Sequence, residues 1–180
     1  MNQYRKWASR ELSLKTRLLT LISAGILFVL FIPYTLLFPV HQLDLTLHFP
    51  TLYIGLINPI LGIFFILVGG IYGYWSITSQ LFFAQGTPLP MMPTQKLLTT
   101  GPFKQCRNPM TFGTIVAYLG IGFIIGSLSV ILLVLLFSAL LLTYIKLVEE
   151  KELEVRFGKD YLDYKAMTPF LIPRIVAKKN

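Results

Sequence analysis

The feature that most constrains this chain is a run of 38 residues, Asn108 to Ile145, without a single charged side chain. At a rise of about 1.5 Å per residue, the run is too long for one crossing of a bilayer core of about 30 Å and barely suffices for two. Small residues interrupt it from Gly126 to Ser129. It therefore predicts a tight helical hairpin that turns there, with membrane spans at about 109–125 and 129–147.

Two earlier runs, Leu18 to Val40 and Thr51 to Phe83, are also uncharged. They predict spans at about 18–40 and 60–80, with a short polar loop from His41 to Pro50 and a kink at Pro33. Hydrophobic residues form 54% of the 180 residues and charged residues only 13%, a composition that requires a lipid solvent. We predict one all-α integral membrane domain, 1–180, with four transmembrane helices.

The basic residues indicate how this domain is oriented. All sixteen lie in three segments: the N-terminus, the loop 84–108, and the C-terminal segment, which begins at Lys146 and leaves the membrane at about 148–180. The two remaining loops contain no Lys or Arg. Because basic residues favour the cytoplasmic side, both termini and the loop 84–108 are predicted to be cytoplasmic, at an inner, plasma or ER-type membrane.

Several classes of function are disfavoured. The net charge of +8 lies at the ends of apolar runs, where topology and anionic lipid explain it without nucleic acid. The single cysteine, Cys106, excludes an intrachain disulfide and a Cys-rich metal site. His41, Asp44 and His48 are interpreted as a solvated loop, so no metal site is predicted.

Two polar clusters are predicted to share the cytoplasmic face. One is Gln95–Gly113, QKLLTTGPFKQCRNPMTFG, and the other is the pair Glu149-Glu150. Arg107 supplies a cation, and Pro109 begins the third span, where the amides of the first turn are available to an anion. Carboxylates at a membrane edge are costly unless a cation pairs with them. A ligand with a carboxylate, an ammonium and a flat ring, such as S-adenosylmethionine, would satisfy both clusters. The alternative is a solvated membrane edge.

The motifs favour the first interpretation. LLTTGPFKQCRNPMTFG, followed after the hairpin by EEKELEVRFGKDYLDYK and PFLIPR, resembles the isoprenylcysteine carboxyl methyltransferase family, whose wider group includes membrane phospholipid N-methyltransferases. The resemblance covers roughly Gly86 to Arg174. It implies an S-adenosylmethionine-dependent methyltransferase whose lipid or prenylated small-molecule or peptide acceptor reaches the pocket laterally from the membrane lipids.

The resemblance also implies roles for individual residues. Arg107 and Glu149 would be catalytic, with Glu149 accepting the ammonium group of the cofactor. The anionic end of the acceptor would fall to Arg107, Lys146 or Arg174. The cofactor would be held by residues of the loop, the start of the third span and the glutamate pair: Gln95, Lys96, Leu97, Leu98, Gly101, Phe103, Asn108, Pro109, Met110, Thr111, Glu149 and Glu150.

Three departures from the family pattern keep the acceptor open. Phe103 lacks the hydroxyl of the family's tyrosine, and Asn108 replaces a histidine with an amide that does not titrate near neutral pH. Ile145 stands where the prenylcysteine enzymes have an arginine. An isoprenylcysteine-type carboxyl O-methyltransferase, a phospholipid N-methyltransferase and a non-catalytic scaffold of the same fold all remain possible at this point.

The C-terminal segment gives a few local expectations. Lys146 with Glu150 and Glu152 with Arg156 have the i, i+4 spacing of helical ion pairs, and Gly158 is expected to end that helix. Cys106, Tyr161 and Tyr164 are expected to be packing residues.

Overall fold

The computed structural model describes residues 14–83 and 96–174. These residues form helices and no strand, which confirms the predicted all-α class. We number the α-helices in chain order: α1 Leu14–Gly25, α2 Ile32–Thr35, α3 His41–Leu47, α4 Ile57–Phe83, α5 Pro109–Ile125, α6 Leu128–Tyr144, α7 Glu150–Phe157 and α8 Lys159–Met167. Three π-helical segments, Ile26–Phe31, Leu36–Val40 and Ile145–Glu149, and a 3₁₀ turn, Gly101–Lys104, lie between them.

Three continuous helical stretches of the described chain are long and apolar enough to cross a membrane: Leu19–Leu47, Ile57–Phe83 and Leu128–Phe157. The remaining apolar helix, Pro109–Ile125, is shorter, at 17 residues. These helices identify an integral membrane protein. The chain divides into two units, described separately: an apolar unit, Ile22–Ile71 with Gly113–Tyr144, and a polar unit, Met1–Leu21 with Tyr72–Phe112 and Ile145–Asn180.

In the apolar unit, the first helix is longer than the sequence suggested. The expected loop at His41 is wrong, because the chain stays helical to Leu47 and ends there with His48 in the left-handed conformation, φ 54°. Asp44 is buried instead of solvated. Its carboxylate accepts hydrogen bonds from the Ser127 hydroxyl and, at 3.0 Å, from the Ser129 N–H, so that it caps the start of α6. A paired carboxylate is cheaper to bury than a free one.

Pro33 does not end the first helix: two π-helical segments lie on either side of α2, Ile26–Phe31 before Pro33 and Leu36–Val40, which contains a second proline, Pro39. Proline lacks an N–H and clashes with the carbonyl four residues earlier, and wider turns accommodate both effects. Further along the unit, Asn58 is buried and its side-chain amide donates to the carbonyls of Leu52, at 2.7 Å, and Phe123, at 2.8 Å. Asn58 therefore fixes the loop that precedes α4.

Glycine allows α4 and α5 to approach closely within the apolar unit. A Cβ built at Gly69 would meet the carbonyl oxygen of Gly113 and lie 2.6 Å from the Ala117 amide nitrogen. At Gly70 and Gly73 in the same helix, none of the described residues lies within 4 Å of such a Cβ. Close helix packing at this point therefore depends on Gly69 alone among the three.

Candidate functional site

The candidate site lies in the polar unit, where the segment before α5 meets the chain that follows α8. The Arg107 N–H donates to the Pro169 carbonyl at 2.9 Å, and the Arg174 N–H donates to the Gln105 carbonyl at 2.9 Å. The Asn108 side chain donates to the Phe170 carbonyl at 2.9 Å. These bonds tie the loop to the C-terminal segment at three places. The side chain of Arg174 itself is exposed.

Arg107 is the main connector of this unit. Its side chain is 11% exposed, and its Nη2 lies 2.9 Å from Oε1 of Glu150. Its Nη1 donates to the Lys165 carbonyl at 3.0 Å, and the guanidinium stands over the Phe170 ring, 5.6 Å from its centroid. One side chain therefore joins the loop, the start of α7 and α8. Its Nε–H is buried and has no hydrogen-bond partner among residues 14–83 and 96–174.

Glu150 receives two cations. It is 3% exposed, and Nζ of Lys165 lies 2.8 Å from its other oxygen, Oε2. Lys165 also lies 2.8 Å from Oε1 of Glu154, and its hydrogen bonds to Glu150 and Glu154 raise the pKa of its ammonium. A buried carboxylate is tolerable only when it is paired in this way. The sequence interpretation missed Lys165 and Glu154. A usable signal was the spacing of Tyr161, Tyr164 and Lys165, which places them on one helical face.

The two adjacent glutamates occupy different environments. Glu150 is buried, whereas Glu149 is exposed and has no ion-pair partner among residues 14–83 and 96–174. The reason is the π-helical segment Ile145–Glu149, in which bonds run from residue i to i+5. Ile145 and Glu150, five residues apart, are both buried, although an α-helix would turn them away from each other.

One of the two ion pairs predicted from the sequence is absent, and the other is present. Lys146 and Glu150 do not pair, because Glu150 is engaged by Arg107 and Lys165. The second predicted pair is present, with Nη1 of Arg156 3.2 Å from Oε1 of Glu152.

The aromatic side chains of the unit serve packing. Tyr161 and Tyr164 are buried, and the Tyr164 hydroxyl donates to the Phe103 carbonyl at 2.7 Å. Burial raises the pKa of both phenols. Cys106 is fully buried, and burial raises the pKa of its thiol to about 11. The expectation that these three residues are packing residues is confirmed. Gly158, with φ 55°, ends α7 as predicted.

The residues predicted to hold a cofactor lie along this loop and at the start of α5. Pro109 is the first residue of α5 and is buried, and Gly101 adopts φ 60°, a conformation that favours glycine. The Phe103 ring is buried against the protein. Lys96 is exposed, and half-buried positions are held by Leu97, Leu98, Asn108, Met110 and Thr111. Gln95 lies outside the described residues.

A cavity of about 350 Å³ opens beside the Arg107–Glu150 pair. Cations, carboxylates and two apolar side chains line it: Arg107, Lys146, Lys151 and Lys165; Glu150 and Glu154; Leu147 and Phe170. Within the part of the chain that the structure describes, no group of three or more His, Cys, Asp or Glu side chains is arranged to hold a metal ion.

The chain is similar to known methyltransferases in sequence pattern and in fold. A family model described as phospholipid methyltransferase matches residues 57–160. Among curated protein sequences, none matches significantly. A solved structure of a eukaryotic intramembrane Ras methyltransferase, isoprenylcysteine carboxyl methyltransferase, is similar in fold, with a TM-score of 0.61 and 21% sequence identity. The match covers 80% of this chain and 52% of that one, so this chain spans about half the length of the relative.

Proposed function

The chain belongs to the phospholipid methyltransferase family, and we propose that it is an integral membrane enzyme that transfers a methyl group from S-adenosylmethionine to a lipid-like acceptor. The observation that carries this proposal is the asymmetry of the glutamate pair. One carboxylate, Glu150, is buried and ion-paired, and the neighbouring one, Glu149, is exposed and unpaired among the described residues. An unpaired carboxylate that follows a membrane helix and precedes a buried, ion-paired glutamate is suited to a cationic ligand.

The residues of the candidate site match the chemical groups of the cofactor. S-adenosylmethionine carries an ammonium, a carboxylate and a flat adenine ring. Glu149 would accept the ammonium group, and the first-turn amides after Pro109 would face the carboxylate, since amides at a helix start have no partner within the helix. Lys96, Leu97 and Leu98 would run along the nucleoside chiefly through their backbone. We assign Glu150 to holding Arg107 and Lys165 in place, not to direct contact with the cofactor.

When bound, the cofactor supplies an electrophilic methyl group. The chain's own contribution is to position the cofactor and the acceptor and to exclude water. Arg107, fixed by Glu150 and by the Lys165 carbonyl, would hold the loop in one geometry and present a positive charge to the acceptor. Asn108 does not titrate, and its side chain already donates to Phe170, so an acceptor amine must lose its proton elsewhere.

Two acceptors fit this site. The family match favours a phospholipid amine, whereas the fold of the prenylcysteine enzyme favours a carboxylate. Replacement of the family arginine by Ile145, which is buried here, removes one group that would grip a prenylcysteine carboxylate. The two activities differ in product: a base-labile methyl ester in one case and a methylated amine headgroup in the other. A scaffold that has lost the reaction would bind no cofactor.

We further propose four membrane crossings, with the 17-residue α5 as the third and the turn at Gly126 and Ser127 joining it to α6. Seventeen residues reach about 25 Å, enough for a thin or locally compressed bilayer. With this topology every Lys and Arg is cytoplasmic, as are both termini and the site.

Calorimetric binding of S-adenosylhomocysteine to the detergent-purified chain tests the proposal. We expect saturable binding by the wild type and a loss of about tenfold or more in Glu149→Gln, because a charge-assisted hydrogen bond is removed. Asp163→Asn, at an exposed position outside the site, is the matched control and should bind like the wild type. Absence of binding by the folded wild type would contradict the methyltransferase function.

A further inference from the structure

Residues 96–108, which supply part of the proposed cofactor site, have little secondary structure of their own. Within this described segment the one regular element is the 3₁₀ turn Gly101–Lys104. The backbone bonds internal to the segment, from the N–H groups of Gln105 and Cys106 to the Pro102 carbonyl, continue that turn. Backbone groups that are removed from water need hydrogen-bond partners. The shape of the segment therefore depends on bonds to other parts of the chain.

Those bonds come largely from one stretch near the C-terminus, residues 164–174, which we call the strap. Hydrogen bonds of 2.7–2.9 Å join the strap to the second half of the segment: Tyr164 to Phe103, Arg174 to Gln105, Pro169 to Arg107 and Phe170 to Asn108. The strap lies wholly beyond residue 160, where the match to the family model ends. The family pattern matched by this chain therefore does not include the element that holds the segment.

One bond of the strap, from Tyr164, is made by a strap side chain, so a substitution can remove it without changing the backbone. Tyr164 is 7% exposed, and its hydroxyl donates to the carbonyl of Phe103, which is buried in the 3₁₀ turn. A buried carbonyl that loses its donor is costly. The hydroxyl therefore fixes a turn that lies between two residues predicted to hold the cofactor, Leu98 and Asn108.

We propose that the strap holds segment 96–108 in the conformation that accepts the cofactor, and that Tyr164 is a positioning residue that acts through the Phe103 carbonyl. The identity of the ligand rests on the proposed function. A segment that is already held in place binds more tightly, because it loses less conformational freedom on binding. By linkage, a bound cofactor in turn keeps the segment attached to the strap.

Cys106 reports whether the segment is held. It lies within the segment, is fully buried and is the single cysteine of the chain, so its reaction with maleimide measures local opening. The full chain is labelled in detergent at neutral pH, well below its melting temperature. In Tyr164→Phe, which keeps the ring and removes the donor, labelling should accelerate roughly fivefold or more. Phe170→Leu, which removes the ring that stands over Arg107, should accelerate labelling in the same direction.

Calorimetric binding of S-adenosylhomocysteine to the same samples tests the positioning role. The Kd of Tyr164→Phe should rise by roughly three- to tenfold, because the freed turn adopts positions that do not fit the ligand and affinity falls with the fraction that does. Saturating S-adenosylhomocysteine should slow the labelling of Cys106 in both the wild type and the variant, since the ligand favours the held segment.

Two control variants separate these effects from general destabilisation. Tyr161→Phe, in the same helix, removes the hydroxyl of a buried tyrosine that donates to no residue among 14–83 and 96–174, and it should label and bind like the wild type. Asp44→Asn weakens the apolar unit. Its labelling rate should stay unchanged below its melting temperature, whereas labelling through global unfolding would accelerate in it as well.

The outcomes distinguish the strap from the proposed function. Equal effects in Tyr161→Phe and Tyr164→Phe, or acceleration in Asp44→Asn, would overturn the proposal. Faster labelling of Tyr164→Phe with an unchanged Kd would show that the strap is structural only and would overturn the positioning role. If the folded wild type binds no S-adenosylhomocysteine, the proposed function fails and the positioning role with it, while labelling that is faster in Tyr164→Phe alone would still establish the strap.

Discussion

The carboxylate of Asp44 accepts a hydrogen bond from the backbone N–H of Ser129 at 3.0 Å, across 85 positions of the chain. The same carboxylate receives the Ser127 hydroxyl, and Ser127 in turn accepts the Val130 N–H at 3.2 Å. The end of the first membrane helix thereby caps the start of α6 within the apolar unit. An ionisable residue in a membrane-spanning segment normally has such a partner, because an unpaired one is costly.

Asp44→Ala should therefore destabilise the protein. The substitution leaves the buried Ser129 N–H, which Asp44 caps, without its acceptor, at a cost of roughly 1–3 kcal/mol. Asp44→Asn, which keeps an oxygen acceptor, should lose less. Thermal unfolding in detergent measures both variants, and an Asp44→Ala protein as stable as the wild type would contradict the capping role.

The two glutamates should respond differently to the same chemical change. Glu150→Gln removes the negative charge from between Arg107 and Lys165 and should cost roughly 3–5 kcal/mol, the range for breaking a buried ion pair by removing one partner. Glu149→Gln changes an exposed side chain and should alter the free energy of unfolding by less than about 0.5 kcal/mol. Denaturation in parallel with the cofactor-binding assay checks this, and similar stability losses in the two variants would refute the division of roles.

Close packing between α4 and α5 is tested by two substitutions in one helix. Gly69→Ala should be destabilising, because the added Cβ would lie 2.6 Å from the Ala117 nitrogen and no flexible side chain could move away. Gly73→Ala is the control: no residue of the part of the chain that the structure describes lies within 4 Å of its Cβ, and the gain in helix propensity should stabilise by about 0.5–1 kcal/mol. If the two variants have the same melting temperature in detergent, the close approach at Gly69 does not exist in the protein.

Lys165 should make the stability of the folded protein fall at alkaline pH. Its hydrogen bonds to Glu150 and Glu154 raise the pKa of the ammonium above 10.5 in the folded state. Its contribution to stability is therefore fully present below about pH 10.5 and is lost as the pH rises through the folded pKa. Lys165→Met should lower stability at about pH 8 and show a weaker further decline at alkaline pH. Unfolding curves from about pH 8 to about pH 11.5 measure both, and parallel curves for the two proteins would contradict the assignment.

Cys106 provides a direct measure of packing in the polar unit. Because the thiolate is the reactive form and burial raises the pKa of this thiol to about 11, maleimide should modify the folded protein very slowly at neutral pH. Addition of denaturant should give one adduct per chain, since Cys106 is the single cysteine. Rapid labelling of the folded protein would show that this part of the loop is open to solvent.

The family could be recognised from sequence because its motifs are local. The runs around Arg107 and from Glu149 to Tyr164 keep their order and spacing, and the match over residues 57–160 confirms the predicted family. The end of the first helix could not be predicted in the same way. Polar residues from His41 onward are typical of a loop, whereas in the folded chain the distant contact from Asp44 to Ser127 stabilises a helix there.

The all-helical membrane class and the family follow from the amino-acid order alone, because uncharged runs and contiguous motifs express both directly. Which glutamate is buried depends instead on the folded chain. Glu149 and Glu150 have the same side chain and adjacent positions, so neither the composition nor the motif distinguishes the buried residue from the exposed one. The π-helical segment Ile145–Glu149 sets the rotation of the helix that follows, and that rotation brings Glu150 to within 2.9 Å of Arg107 while Glu149 stays exposed. The rotation of a helix relative to a loop far away in the sequence is a property of packing, and no local pattern encodes it.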